Sequence, residues 1–412
     1  MRLRPYRLAV LTSHVIQYQA SLYRALAADP AIDLTVFFCS ERGSKPYWDQ
    51  GFGRLVKWDV PLLDGYRSEF LANWSPRPGR DGFMQLVNPA IVARLRQRQF
   101  DALWVHGWAR CTSWLAMLAA FALGIPVLFR GESTLLGRSS ATKAAIKRAV
   151  LLRLFERIAA FLAIGRYNAE FYQAHRVPPA RIFAVPYAVD NEFFLAQAEA
   201  LAPRRRELKE ALGIPADTPV VLYSGKLVPA KRPMDLLLAL AQLPAAERAT
   251  LLYLGDGTLR DALAARARDL GVGVHFAGFQ NQTEIGRFFT AADAFVLPSG
   301  FEPWGLVVNE AMCFGLPVVV SDRVGAGGDL VRDGVNGFTF PAGDVDALAR
   351  ILGALVADGE RRRQMGEASR ALIRGWSHRE AVAGVTACLD VLAGGDPCPS
   401  SGQPVTRAHD PD

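Results

Sequence analysis

The sequence predicts an α/β protein made of two doubly wound parallel-sheet domains facing across a cleft. Short apolar runs of strand length alternate with stretches of helical spacing from end to end. The alternation breaks once, near residues 190–217, and then starts again. Segments bearing Gly, Lys, His and Glu recur just after the apolar runs, which is where open α/β sheets bind ligands.

In the first series, strands are expected at Arg7–Thr12, Leu34–Phe38, Ala102–Val105, Pro126–Phe129, Phe161–Ile164 and Ile182–Val185. Helical spacing marks Ala20–Ala28, Ala90–Arg98, Ser113–Leu123, Thr142–Arg157 and Tyr167–Ala174 between them. Residues 191–216 are polar and rich in Ala, Glu and Arg, and read as a linker region. The second series places strands at Val220–Ser224, Thr250–Leu254, Val274–Ala277, Ala294–Leu297 and Pro317–Val320. The expected division is therefore a domain over 1–190, a linker over 191–216 and a second domain over 217–376. A last helix over 377–393 is expected to pack back towards the first domain. The tail 394–412, rich in Gly, Pro, Ser and Asp, is expected to be disordered.

Composition bounds the function. The chain has 412 residues, 50% apolar, 21% charged and 10% aromatic, which excludes a disordered, collagenous or coiled-coil protein. Cys39, Cys111, Cys313, Cys388 and Cys398 are odd in number and form no CxxC or Cys/His cluster. They read as reduced thiols, not as a disulfide scaffold or a zinc site. The longest apolar run, Trp114–Phe129, is broken by Gly124-Ile125-Pro126 and is too short for a membrane span. Leu8–Leu11 is too short for a signal-peptide core, so a cytoplasmic chain is expected.

Charge is unevenly placed. Residues 1–190 carry 25 basic and 13 acidic side chains, and the remainder 22 basic and 27 acidic. The first half is thus expected to meet something anionic. The densest basic stretch, Arg138 to Arg157, interleaves Lys143, Lys147, Arg148 and Arg153 with Ile146, Val150, Leu151, Leu154 and Phe155. Such a helix either packs an apolar stripe on the core or lies on an anionic membrane at the inner face. No RNP-type aromatic motif, zinc finger or helix-turn-helix signature points to nucleic acid.

Four segments of the second half carry the chemistry. A strand ends at Gly225, and Lys226 and Lys231 follow it; paired ammonium groups suit a diphosphate leaving group. Gly255-Asp256-Gly257 reads as a tight turn. Phe276-Ala277-Gly278-Phe279 brings Phe279 to where it can flank a nucleobase or simply pack on the domain. After Ala294–Leu297 comes Ser299-Gly300-Phe301-Glu302-Pro303-Trp304-Gly305-Leu306-Val307-Val308-Asn309-Glu310. A helix from Leu306 to Phe314 would present backbone N–H groups at Gly305–Val307 to a phosphate. Glu302 precedes that helix and Glu310 lies within it; as ionised carboxylates both accept hydrogen bonds from hydroxyls.

Taken in order, these segments resemble the retaining nucleotide-sugar glycosyltransferases of family four, which have the two-domain GT-B fold. The resemblance covers about residues 217–350 and continues through Val324–Val331 and Asp333–Gly337. It implies that Lys226 and Lys231 hold the donor diphosphate, that Glu302 contacts the transferred sugar and that Glu310 holds the ribose hydroxyls. It further implies that Trp304-Gly305-Leu306 bring backbone N–H groups to the donor. The family usually has arginine where Lys226 stands, so the bidentate fork is lost here while the charge is kept.

The first half resembles the family less. Where the family often has a glycine-rich loop, this chain reads Thr12-Ser13-His14-Val15-Ile16-Gln17-Tyr18-Gln19. His14, Gln17 and Tyr18 either line an acceptor site or begin a helix. His106 stands just after a strand and resembles the family histidine that reaches the donor sugar. Arg130-Gly131-Glu132-Ser133 follows the next strand, and Arg130 and Glu132 are acceptor-side candidates.

The implied reaction moves a sugar from a nucleoside-diphosphate sugar to a glycan or lipid-linked acceptor with retention, in exopolysaccharide or cell-surface polysaccharide synthesis. Glu302, Lys231, Lys226 and His106 are the expected catalytic residues. No cofactor and no metal are expected: Asp344-Val345-Asp346 looks like an Asp-x-Asp metal motif but directly precedes a helix, which makes Asp344 an N-cap. The alternatives are a nucleotide-sugar epimerase or phosphorylase of the same fold, or a non-catalytic glycan-assembly subunit.

Overall fold

The computed structural model describes residues 4–78, 81–137 and 141–394. The tail beyond residue 394, including Cys398, lies outside the described residues, as do Arg138 and the side chain of Lys143. Two units are present. The first comprises residues up to Pro46, Pro61–Ala188 and the segment from Ser377; the second comprises Tyr47–Val60 and Val189–Trp376.

Up to residue 188 the strands are β1 (Tyr6–Thr12), β2 (Ile32–Phe38), β3 (Tyr47–Asp49), β4 (Arg54–Val56), β5 (Arg67–Phe70), β6 (Ala102–His106), β7 (Val127–Arg130), β8 (Ala160–Ala163) and β9 (Ile182–Ala184). Seven of them form a sheet in the order β5-β2-β1-β6-β7-β8-β9, with every neighbouring pair parallel. Helices cover both faces, so the central strands are apolar throughout. Leu8, Val10, Trp104 and Leu128 point to one face, and Ala9, Leu103, Val105 and Phe161 to the other. The helix His378–Leu392 closes the first face with Ala381, Val385, Cys388 and Leu389. Its N-terminus is fixed by Ser377 and Glu380 in a capping box.

The second unit contains β10 (Val220–Ser224), β11 (Thr250–Leu254), β12 (Val274–Gly278), β13 (Ala294–Leu297), β14 (Val318–Ser321) and β15 (Gly337–Phe340). They form a six-stranded parallel sheet in the order β12-β11-β10-β13-β14-β15. Strand order reverses between β10 and β13, which is where such sheets open a ligand crevice. Both units are thus Rossmann-like α/β structures.

Two readings of the sequence need correction. Residues 191–216 are not a bare linker: they form the helices Asn191–Leu201 and Arg205–Ala211 and belong to the second unit. Asp190 caps the first helix, Phe194 is buried near Phe314, and Lys209 is buried against Asp293 at 3.0 Å. The second of these helices, Arg-Arg-Glu-Leu-Lys-Glu-Ala, is mostly charged and shows almost no apolar spacing. The basic helix, observed at Ala141–Arg157, does not bury one continuous stripe. Leu151, Leu154 and Phe155 enter the core, whereas Ile146 and Val150 are 63% and 37% exposed.

The antiparallel hairpin β3–β4 was not foreseen. It lies early in the chain yet packs within the second unit, where Asn281 Nδ2 donates to the Lys57 carbonyl at 2.9 Å.

Candidate functional site

In the second unit the carboxyl ends of β10, β11 and β12 each finish in glycine. The Gly225 amide donates to the Leu254 carbonyl, and the Gly255 amide to the Gly278 carbonyl, both at 2.9 Å. A side chain at Gly255 would lie 2.0 Å from the Gly225 carbonyl oxygen, and its φ of +138° is one that L side chains rarely adopt. The strand ends therefore close against one another and send the following chain over the sheet edge.

That chain carries Lys226 and Lys231. Lys226 Nζ lies 2.8 Å from Asp49 Oδ1 of the β3–β4 hairpin and 4.8 Å from the centre of the Phe52 ring. Lys231 is ion-paired with Glu302. Burial, and secondarily the charge of Lys226, pull the Lys231 ammonium down to about 8. The two lysines thus feel each other, and each holds a carboxylate. Two mutually repelling cations at a strand edge make a strong site for a doubly charged anion.

Glu302 is set by backbone bonds. Its amide donates to the Arg323 carbonyl, and its carbonyl accepts from the Gly325 amide. Gly305 then turns at φ +96° and starts the helix Leu306–Cys313 with no side chain capping it. The start of that helix therefore keeps the partial positive charge of uncapped N–H groups. Trp304 is buried: its indole N–H donates to Asn309 Oδ1 at 3.0 Å, and its ring stacks on Trp376 at 5.4 Å. It anchors the turn from which the backbone amides project. Glu310, inside that helix, is buried, only 3% exposed.

Phe279 follows β12, and the hairpin packs on it. Phe52 meets its ring edge-on at 4.8 Å, Trp58 at 6.1 Å, and the Arg54 guanidinium lies 5.2 Å from its centre. The neighbouring pocket of about 360 Å³ is lined by Gln50–Arg54 and by Asp256-Gly257-Thr258. Asp49, Phe52 and Trp58 were missed by sequence reasoning. The turn Asp49-Gln50-Gly51-Phe52-Gly53 was the one available hairpin signal.

The first unit gathers a second set at its own carboxyl edge. His106 and Arg130 end neighbouring strands and pair in register. His106 Nε2 is 3.1 Å from the Tyr23 hydroxyl, Nδ1 is 3.5 Å from Gln19 Nε2, and its ring stacks on Trp104 at 5.1 Å. Burial, then the charge of Arg130, lower its pKa to about 3, so it is a neutral imidazole. His14 is likewise lowered to about 4 by burial and then by Arg42 and Arg110; Ser13 Oγ contacts its Nδ1 at 2.8 Å. Gln17 is the first residue of the helix Gln17–Ala28. Arg130 is buried, 5.5 Å from the Trp104 ring centre and 4.9 Å from that of Tyr187. Glu132 is exposed and accepts from the Tyr187 hydroxyl at 3.0 Å. Tyr23, Gln19 and Tyr187 are further members of this set. Tyr187 stands just past β9, where the strand-end rule points.

Asp344 proves to be an N-cap: its Oδ1 accepts from the Ala347 amide at 2.8 Å and starts the helix Val345–Ala357. Among the described residues no three His, Cys, Asp or Glu side chains converge as metal ligands, and no helix is long and apolar enough to cross a membrane.

Two Rossmann-like units, one with paired lysines and an uncapped helix N-terminus at its sheet edge, define a GT-B protein. Residues 204–372 match the family model for "Glycosyl transferases group 1", and residues 15–188 match a "Glycosyl transferase 4-like domain". The chain belongs to the group 1 glycosyltransferases. It is 35% identical over 222 residues to the D-inositol 3-phosphate glycosyltransferase of Xylanimonas cellulosilytica, 52% of this chain and 51% of that one. It thus spans about half the length of that curated relative. It is 29% identical over 350 residues to a GDP-mannose-dependent alpha-(1-6)-phosphatidylinositol monomannoside mannosyltransferase of Mycolicibacterium smegmatis, 80% of this chain and 89% of that one. The crystal structure of Anabaena HepE in complex with UDP shares the fold, with a TM-score of 0.72 and 20% identity over 94% of this chain and 100% of that one.

Proposed function

We propose that this chain is a nucleotide-sugar-dependent, retaining hexosyltransferase that needs no metal. One observation supports it above the others: Lys231, ion-paired with Glu302, lies close enough to Lys226 to be depressed by its charge, in the chain that leaves the β10 sheet edge. In this reading the diphosphate of the donor replaces the carboxylates on both lysines and also takes the amides at Gly305 and Leu306. Both ammonium groups then stabilise the negative charge that grows as the glycosidic phosphate bond breaks. Glu302, freed from Lys231, accepts hydrogen bonds from the transferred sugar. Glu310 takes the ribose hydroxyls, and Phe279 flanks the base. With two cations and a helix N-terminus on the leaving group, no metal is needed for charge neutralisation.

The same reading gives the first unit the acceptor. His106, neutral, offers a hydrogen bond to the donor sugar, and His14, Gln17, Arg130 and Glu132 line the acceptor side. The acceptor class is a glycan or lipid-linked glycan, in exopolysaccharide or cell-surface polysaccharide synthesis. Two relatives named for inositol phosphate and phosphatidylinositol mannoside acceptors agree with a polar, anionic acceptor. Exposed Ile146 and Val150, flanking Lys147 and Arg148 with Arg153 beyond, favour a peripheral seat on an anionic membrane.

The test is incubation with a panel of UDP- and GDP-sugars and polyisoprenyl-linked and soluble glycan acceptors. Release of nucleoside diphosphate with a product of unchanged anomeric configuration by NMR supports the reading. Isomerised sugar without acceptor identifies an epimerase. Donor binding without turnover across the panel identifies a non-catalytic subunit.

A further inference from the structure

We infer that Arg130 is an oxyanion receptor, and that the acceptor this protein uses carries a phosphate ester that docks on it. The inference rests on the transferase reading above for the word acceptor, but the anion site stands on its own geometry. Arg130 is 4% exposed. Among the described residues no carboxylate forms an ion pair with it, and its Nη2 is buried without a hydrogen-bond partner. Taking a guanidinium out of water without a counter-ion is expensive. Burial accordingly lowers its pKa, although Tyr187 and Glu132 oppose this.

The neighbours explain why, among the described residues, no carboxylate forms an ion pair with it. Trp104 and Tyr187 present their rings to it, with centres 5.5 and 4.9 Å away. Glu132, the nearest acid along the chain, is engaged by the Tyr187 hydroxyl at 3.0 Å instead. His106 beside it is held neutral and supplies no negative charge. The Arg130 carbonyl is already used by the Gly107 amide at 2.8 Å, which fixes the backbone from which the side chain projects. A rigid, desolvated fork with a bare N–H is matched in shape and charge by a phosphate oxygen pair. Its place at the end of β7, beside the end of β6, is the sheet edge where ligands enter.

The experiment must silence the lysine site, which also binds phosphate. Lys226→Ala/Lys231→Ala is compared with the same double variant carrying Arg130→Met, by calorimetric titration with inorganic phosphate at matched ionic strength. Phosphate is expected to bind the double variant, and the added Arg130→Met to weaken that binding by about tenfold or more. Arg130→Met is also expected to melt no lower than its parent, because an unpaired buried charge is removed. Equal phosphate binding with and without Arg130 overturns the inference. Should the methionine variant fail to fold, Arg130→Lys keeps the charge, loses the fork and is expected to bind phosphate more weakly than the parent. UDP binding by the single variant Arg130→Met is expected to equal the wild type. Its absence from the wild type itself would fail the transferase reading and leave the Arg130 result to be read separately. Arg130-dependent binding of glycerol 3-phosphate in the same titration assigns a soluble acceptor phosphate. Arg130-dependent binding to phosphatidylinositol-containing vesicles alone assigns a lipid headgroup.

Discussion

Asp49 Oδ1 lies 2.8 Å from Lys226 Nζ, so a hairpin carboxylate holds the cation assigned to the donor diphosphate. The two residues are 177 positions apart in the chain. Asp49 is fixed from below by the Gly51 and Phe52 amides, at 2.8 and 3.0 Å. It is therefore a pre-positioned competitor for the incoming phosphate. Asp49→Asn is expected to tighten UDP binding by about two- to fivefold, the scale of a partly exposed ion pair. Isothermal titration checks this; weaker binding would show that Asp49 helps to orient Lys226 instead.

Lys231 sets a pH dependence. Its ammonium titrates near 8 in the free protein, because burial and then Lys226 disfavour the charge. The donor needs the charged form, so kcat/KM should fall as pH rises through about 8. Lys231→Arg stays charged above that pH and should abolish the fall. Lys231→Ala should lower kcat by about a hundredfold or more, as when one oxyanion stabiliser is lost. A pH profile identical in wild type and Lys231→Arg would remove Lys231 from this role.

His106 and His14 are neutral well above their depressed pKa values of about 3 and about 4. Neither changes charge between pH 5 and pH 8 (about one unit or more above both), so the acid side of the profile should be flat there. A limb near pH 6.5 that His106→Gln abolishes would contradict the burial of that ring.

Metal removal is the simplest check on the leaving group. Activity should survive excess EDTA, since two ammonium groups and a helix N-terminus neutralise the diphosphate. Loss restored by magnesium or manganese would contradict this.

The basic helix divides into a structural and a surface half. Phe155 is 3% exposed and meets Phe129, Phe161 and Tyr172, with ring centres 5.4, 4.8 and 5.9 Å away. Phe155→Ala should cost about 3–5 kcal/mol in urea unfolding. Ile146→Ser with Val150→Ser should leave stability within about 0.5 kcal/mol. The same pair should reduce flotation with anionic vesicles; unchanged flotation would place the membrane contact elsewhere.

Much of this architecture could be read from the chain, for a physical reason. Strands buried on both faces, such as Ala102–His106 and Val220–Ser224, appear as unbroken apolar runs. Two of the four edge strands do not. Arg67–Phe70 reads Arg-Ser-Glu-Phe, and Gly337–Phe340 begins with glycine, and both lie at the outer edge of a sheet. Lys226, Lys231 and Glu302 stood out through the family resemblance of the segments that follow the strands, and the structure pairs Lys231 with Glu302. Asp49 did not stand out, because its partner is distant in sequence. Nor did the neutrality of His106, which depends on burial beside Trp104 and Arg130.

The most direct measurement is the affinity of UDP and GDP for wild type and for Lys226→Ala/Lys231→Ala. If the nucleotide's diphosphate rests on these two ammonium groups, the double variant loses affinity by about a hundredfold or more while keeping its fold. Equal affinity in both proteins would contradict the site on which the proposed chemistry depends.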